Sequence, residues 1–257
     1  TNDTRLNRDL FRYIQEDGLM AYMSFAFNSR KLWDGMQDLL RPMLDSIPNV
    51  SGGFYSSAIE VLDIFIDEDE IYQLLPGNGM LVLSGINSFE TTYTTYEYDD
   101  DFNAQEITKT KEEKLPEFTF MLSTDGEENM RKIMDLLVKL PDGVVSREGT
   151  HYLFPLVQEE TGFPLYLSIA DGIVFLSNDE DLIQNRLGTG YPNSLGKKHV
   201  KALKKNNQVI YWNTQKTLAD IPLDMLEDNE GFSQMMLSGA ETFDEMWVLS
   251  SNRKDPS

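Results

Sequence analysis

The sequence predicts an α+β protein of two related halves, each a mainly antiparallel, curved sheet covered by helices. Three observations lead there. A short apolar run, a small polar residue and a helix-period segment follow one another in that order at three places. The second of these units continues into a meander of short strands, with Asp171-Gly172 as a tight hairpin signal. Composition is that of a packed chain, with 40% hydrophobic and 25% charged residues over 257 positions. Mixing crossovers with hairpins argues against an all-parallel sheet.

The first unit opens with a strand over 19–27 (LMAYMSFAF), rich in aromatic residues that suit a pleated surface. Asn28 and Ser29 then offer side-chain oxygens to the start of a helix. That helix carries Leu32, Trp33, Met36, Leu39 and Leu40 on one face. A second helix is expected over 56–66, a turn at Gly77-Asn78-Gly79, a strand over 80–83 and a β-rich run over 89–98.

The second unit has a strand over 118–122, Ser123 and Thr124 as caps, and a helix over 127–140. Its stripe is Met130, Ile133, Met134, Leu137 and Val138, which at this spacing reads as core. Segments 151–157, 163–170 and 172–176 read as strands. Asn178 then caps a short helix to Leu187, and Asp179, Glu180 and Asp181 offset the positive helix end. The third unit is a strand over 208–212, Asn213 and Thr214 as caps, and a weaker helix to Leu226.

These elements divide the chain into a first half at 1–98, a charged loop or linker at 99–114 (DDFNAQEITKTKEEK follows Asp99), and a second half at 115–257 with a C-terminal strand-helix-strand extension. A Gly- and Pro-rich stretch at 187–196 reads as an exposed loop, and the tail from Asn252 as frayed.

Charge and missing residue types narrow the function. The net charge of −21 comes from 43 acidic and 22 basic residues, and it disfavours nucleic acid and anionic lipid as partners. No run approaches the ~18 apolar residues of a membrane-spanning helix. There is no cysteine, which removes disulfides, thiolate nucleophiles, Cys-ligated zinc and iron–sulfur clusters, and which suits an oxidising compartment. No phosphate-binding loop, dinucleotide fingerprint, nucleophile elbow or zinc-protease motif occurs. No catalytic residue and no cofactor are therefore expected.

Several groups remain as candidates. His151 and His199 have no second ligand at helical or strand spacing and read as surface or satisfied histidines. Asp99, Asp100 and Asp101 are the better calcium candidates, ahead of the Asp67, Glu68, Asp69 and Glu70 run, but neither has the spaced ligands of a calcium loop. Lys197, Lys198, Lys201, Lys204 and Lys205 read as a solvated helix face, with a polysaccharide carboxylate or a phosphate as the functional alternative. Tyr93, Tyr96 and Tyr98 read as cross-strand packing, with sugar stacking as the alternative.

The runs LMAYMSFAFNSRKLWDGM, GMLVLSGINSF, PEFTFMLSTDGEENMRKIMDLL and PLYLSIADGIVFLSNDEDLI resemble an uncharacterised family of Bacteroidetes envelope lipoproteins. The resemblance covers roughly residues 19–187. It implies a cell-envelope location, in the periplasm or at the outer membrane, with membrane attachment only through a lipid anchor on a longer form of which this chain is a trimmed part. It implies no activity and no site residues. The expected function is a non-catalytic envelope protein that binds a partner protein or glycan; the alternative is a carboxylate-dependent hydrolase with a cleft between the halves.

Overall fold

The computed structural model describes residues 6–27, 72–74, 76–98, 104–139, 145–220 and 243–251. Their strands are β1 (Ala21–Ala26), β2 (Asn78–Tyr98), β3 (Ala104–Ser123), β4 (Ser146–Glu148), β5 (His151–Leu153), β6 (Tyr166–Ala170), β7 (Ile173–Ser177), β8 (Gln208–Asn213) and β9 (Glu245–Ser250). The α-helices are α1 (Glu127–Leu137), α2 (Pro155–Thr161), α3 (Lys197–Lys205) and α4 (Thr214–Asp220). All nine strands join one sheet in the order β4-β5-β6-β7-β3-β2-β1-β8-β9, and every neighbouring pair is antiparallel. The mostly antiparallel α+β class is as expected. In place of one sheet per half, β2 and β3 join the described strands into a single sheet.

The larger departure is the charged segment. Residues 104–114 are not a loop or linker: they are the outer part of β3, paired residue for residue with the outer part of β2. Backbone pairing needs no apolar side chains when both faces meet water, so a strand can form where the hydrophobic pattern is silent.

One face of the sheet carries the main core. Tyr22, Met80, Val82, Met121, Phe175, Val209 and Tyr211 point into it. It is closed by the N-terminal segment, where a 3-10 turn (Arg8–Tyr13) buries Leu10 and Tyr13, and by Leu182, Ile183, Leu195 and Leu203 from the later segments. Segment 187–196 is a loop with Gly188, Thr189, Pro192, Asn193 and Ser194 exposed, pinned to the body at Gly190 and Leu195. Gly190 has φ +74 and lies against the backbone of Arg12, where an added Cβ would sit 2.6 Å from the Arg12 carbonyl oxygen. The Tyr191 amide donates to that same carbonyl at 2.8 Å.

On the opposite face α1 packs Met130, Met134, Leu137 and Val138 over Tyr152, Ile169 and Val174. Ile133, assigned to this stripe from sequence, is instead 39% exposed. The helix starts one residue after Gly126, and Thr124 rather than Ser123 assists it, its hydroxyl accepting from the Gly126 amide at 3.2 Å. Further along this face Met23, Ile210 and Val248 lie side by side and are partly exposed.

The other local corrections have simple causes. The expected strand over 151–157 stops at Leu153 because Pro155 occupies the first turn of α2. Asp171 (φ 55) and Gly172 (φ 69) are both left-handed and close the β6–β7 hairpin as expected. After β7, Asp179 rather than Asn178 caps the short π-helical turn (Leu182–Arg186), accepting from the Leu182 amide at 2.9 Å. Asn178 is used elsewhere, accepting from the Phe118 amide and donating to the Pro116 carbonyl, which ties it to β3. Asn213 does cap α4, its side chain accepting from the Lys216 amide at 2.9 Å. Of the Gly77-Asn78-Gly79 turn, only Gly77 bends, at φ +91; Asn78 and Gly79 already belong to β2. The helices expected over 30–40 and 56–66 lie outside the described residues.

Candidate functional site

The feature that stands apart from the packed body is the outer part of the β2–β3 hairpin. β1 pairs with β2 only as far as Leu83, and β7 pairs with β3 only from Thr119 inward. Beyond those points Gly85–Tyr98 and Ala104–Glu117 pair with each other alone among the described strands. At about 3.3 Å per residue this two-stranded arm reaches roughly 45 Å. Both of its edges present backbone amide and carbonyl groups that no described strand takes up, which is the arrangement that invites strand addition.

The arm's side chains are mostly exposed. Tyr93 and Tyr96 are 42% and 61% exposed, standing opposite Lys109 and Glu106. Lys109 bridges diagonally to Glu97 at 2.7 Å, with both side chains about half exposed. Cross-strand packing thus accounts for the position of these tyrosines but leaves much of both rings open. The side chain of Tyr98 is outside what the structure describes.

At the root of the arm the register shifts by one residue between Leu83 and Gly85, and Ser84 is the residue left over. The bulge turns Ser84 toward Glu117. Ser84 Oγ donates to Glu117 Oε1 at 2.8 Å, and Asn87 Nδ2 donates to Oε2 at 2.6 Å. Beside them lies an open polar cleft of about 480 Å³, bounded by Lys114 on the arm and by Lys216 and Asp220 on α4. Lys216 and Asp220 pair at 3.3 Å. Nothing in the sequence spacing announces this group, because a bulge and a helix from a distant segment bring it together.

The second concentration of chemistry is α3. Its buried side presents His199, 4% exposed, to an aromatic enclosure. The ring meets Tyr211 edge-on at 4.5 Å between centroids and Trp247 at 4.9 Å, and its Nδ1 lies 3.3 Å from the Tyr22 hydroxyl. Burial pushes the His199 pKa down, while Glu16 and Glu245 pull the other way. The same burial raises the Tyr22 and Tyr211 hydroxyls, the latter to about 12. Lys198 pairs with Glu245 at the rim and holds that carboxyl below its usual range. His199 is thus a satisfied core residue.

The exposed side of α3 carries Lys197, Lys201, Lys204 and Lys205 around a groove of about 420 Å³ floored by Leu195 and Val200. None of these four lysines forms an ion pair among the described residues, whereas Lys198 does.

A third cluster is structural. Tyr13 donates to Asp171 Oδ2 at 2.7 Å, Arg12 pairs with the same carboxylate, and the Gly188 amide donates to the Tyr13 hydroxyl. Tyr191 donates to Asp179 Oδ2 at 2.9 Å, so Asp179 both caps the π-helical turn and anchors segment 187–196. Burial raises both phenols.

The remaining candidates divide plainly. His151 lies 3.8 Å from Glu148 and stands edge-on to Tyr166, away from His199 and the arm. Asp99, Asp100 and Asp101, and the 67–70 run, lie outside the described residues. Among the described residues no three His, Asp or Glu side chains gather as a metal-ligand group, and no helix is long and apolar enough to cross a membrane. Compared with known proteins, the chain matches no protein-family model, no curated protein and no solved structure.

Proposed function

We propose that the protein is a non-catalytic component of the cell envelope that binds a partner protein or glycan, and that the β2–β3 arm is the element that does so. The observation that carries this reading is the arm itself. A two-stranded ribbon in water is marginally stable and contributes little to a core, so stability of the body does not account for it. Its open edges suit a partner strand, and its half-exposed tyrosines suit either an aromatic-lined protein contact or a sugar ring. The cysteine-free, acidic composition and the lipoprotein resemblance support the envelope location.

The two related halves expected from sequence remain part of this reading. Their support is the repeated order of apolar run, small polar residue and helix-period segment in the sequence at 19–40 and 118–140. Among the described residues, the alternative of carboxylate hydrolysis finds a place in the cleft at the arm root. There Glu117 accepts from Ser84 and Asn87, and Asp220 pairs with Lys216, so both carboxylates already have partners within the protein.

The test is a variant in which residues 88–114 are replaced by Asn-Gly, closing β2 and β3 as a short hairpin. The intact protein and this variant are presented in parallel to an envelope extract and to a glycan array. The reading expects one protein or one glycan class captured by the intact protein and lost by the variant, with thermal unfolding little changed. Capture by neither, or equal capture by both, contradicts it.

A further inference from the structure

The exposed face of α3 carries a concentration of positive charge on an element separate from the arm. Between Asp181 and Asp220 the chain has no acidic residue, although acids outnumber bases 43 to 22 overall. Within that stretch lie Arg186, Lys197, Lys198, Lys201, Lys204, Lys205 and Lys216. The charge is therefore segregated along the sequence, although Glu16 and Glu245 reach the start of α3 at Gly196, His199 and Lys198.

Three features show that helix stability does not explain the lysines. Lys197 and Lys198 stand in the first turn, where the helix end is already positive and an acidic residue would be favoured. Lys197, Lys201 and Lys205 follow one another at four-residue spacing, which stacks like charges on one side. No carboxylate among the described residues answers Lys197, Lys201, Lys204 or Lys205, though Glu245 reaches the adjacent Lys198.

The groove between these lysines is not polar throughout. Val200 and the edge of Leu195, itself 6% exposed and part of the main core, form its floor, and among the described residues no aromatic ring lines it. A sugar chain would find cations but no stacking surface. An anionic bilayer would meet the rest of an acidic molecule carrying a net charge of −21. A peptide offering carboxylates on either side of an aliphatic side chain meets both the charges and the floor. The geometry points to this groove as the docking site for an acidic peptide segment with an aliphatic anchor, the anchor on Leu195 and Val200 and the carboxylates on Lys201, Lys204 and their neighbours.

The test uses a fluorescein-labelled peptide of Glu-Glu-Leu repeats, read by anisotropy, with Gln-Gln-Leu and all-Glu peptides as controls. The intact protein should bind the Glu-Glu-Leu peptide at least about tenfold more tightly than either control, with affinity falling as salt rises. The Lys201→Gln/Lys204→Gln variant, altered only at exposed positions, should lose at least about tenfold in affinity with an unchanged circular dichroism spectrum and melting temperature. The arm-shortened variant should bind the peptide as the intact protein does, so that failure here is separable from failure of the arm. Absence of saturable binding, or equal binding by the lysine variant, overturns the inference. So does tighter binding to a uronic-acid oligosaccharide or to phosphatidylglycerol vesicles. Self-association that the lysine variant abolishes would place a second copy in the groove and overturn it equally.

Discussion

Replacing His199 with Gln should flatten the acid side of the protein's stability curve. The ring is enclosed by Tyr22 on β1, Tyr211 on β8 and Trp247 on β9, and is only 4% exposed. The charged groups that face it are Glu16 from the N-terminal segment, Glu245 from β9 and Lys198 from its own helix. Burial is the largest influence, so the folded pKa lies below the ordinary value of about 6.5. Below that pH the unfolded chain takes up a proton at this position before the folded one does. Stability is therefore complete above about pH 6.5 and falls as the pH drops toward the folded value. A ring that stayed neutral would lose about 1.4 kcal/mol by one pH unit below the ordinary value, and the slope cannot exceed about 1.4 kcal/mol per unit. Urea unfolding at pH 7.5 and at pH 5.5 measures it, with the carboxylates largely cancelling between wild type and H199Q. The wild type should lose up to about 1.4 kcal/mol more than the variant between the two conditions. Equal losses, or a larger loss in the variant, would show that the folded ring is charged and held by Glu16, and would refute the reasoning.

Two other substitutions probe the body. Phe175→Ala removes a fully buried ring that stands edge-on to Tyr13 at 4.7 Å, and should cost about 3–5 kcal/mol in denaturant unfolding. Asp179→Ala removes both the cap on Leu182 and the acceptor for the Tyr191 hydroxyl; a loss of about 1–3 kcal/mol is expected, with segment 187–196 becoming sensitive to protease before the sheet unfolds.

How much could be read from the sequence depended on whether burial left a pattern. β1, β8 and α1 were legible because their apolar residues recur at the strand or helix period against a core. The Asp171-Gly172 turn was legible because few residue pairs tolerate two left-handed conformations in succession. Of the arm, the β-rich run over 89–98 was legible and lies in β2, whereas residues 104–114 were not, since they are held by partners in β2 rather than by a core. Leu10 and Tyr13 sit in a 3-10 turn too short to show a period, with Ile14 just after it, although all three close the main core. The sequence singled out the lysines of α3 but not the Leu195 and Val200 floor between them. That floor exists only because α3 and the end of segment 187–196 pack together. Ser84, Asn87 and Glu117 escaped notice for a similar reason: a bulge, not a spacing, makes them neighbours.

The most direct test of the central claim, that the arm is a projecting element left uncovered by the other described residues, is amide hydrogen exchange read by mass spectrometry. Peptides from 86–98 and 104–116 should exchange at least about a hundredfold faster than those from β7 and the inner part of β3, because a lone ribbon opens without disturbing the sheet. Protection of the arm equal to that of β7 in the isolated protein would mean that its edges are already occupied, and would contradict the account.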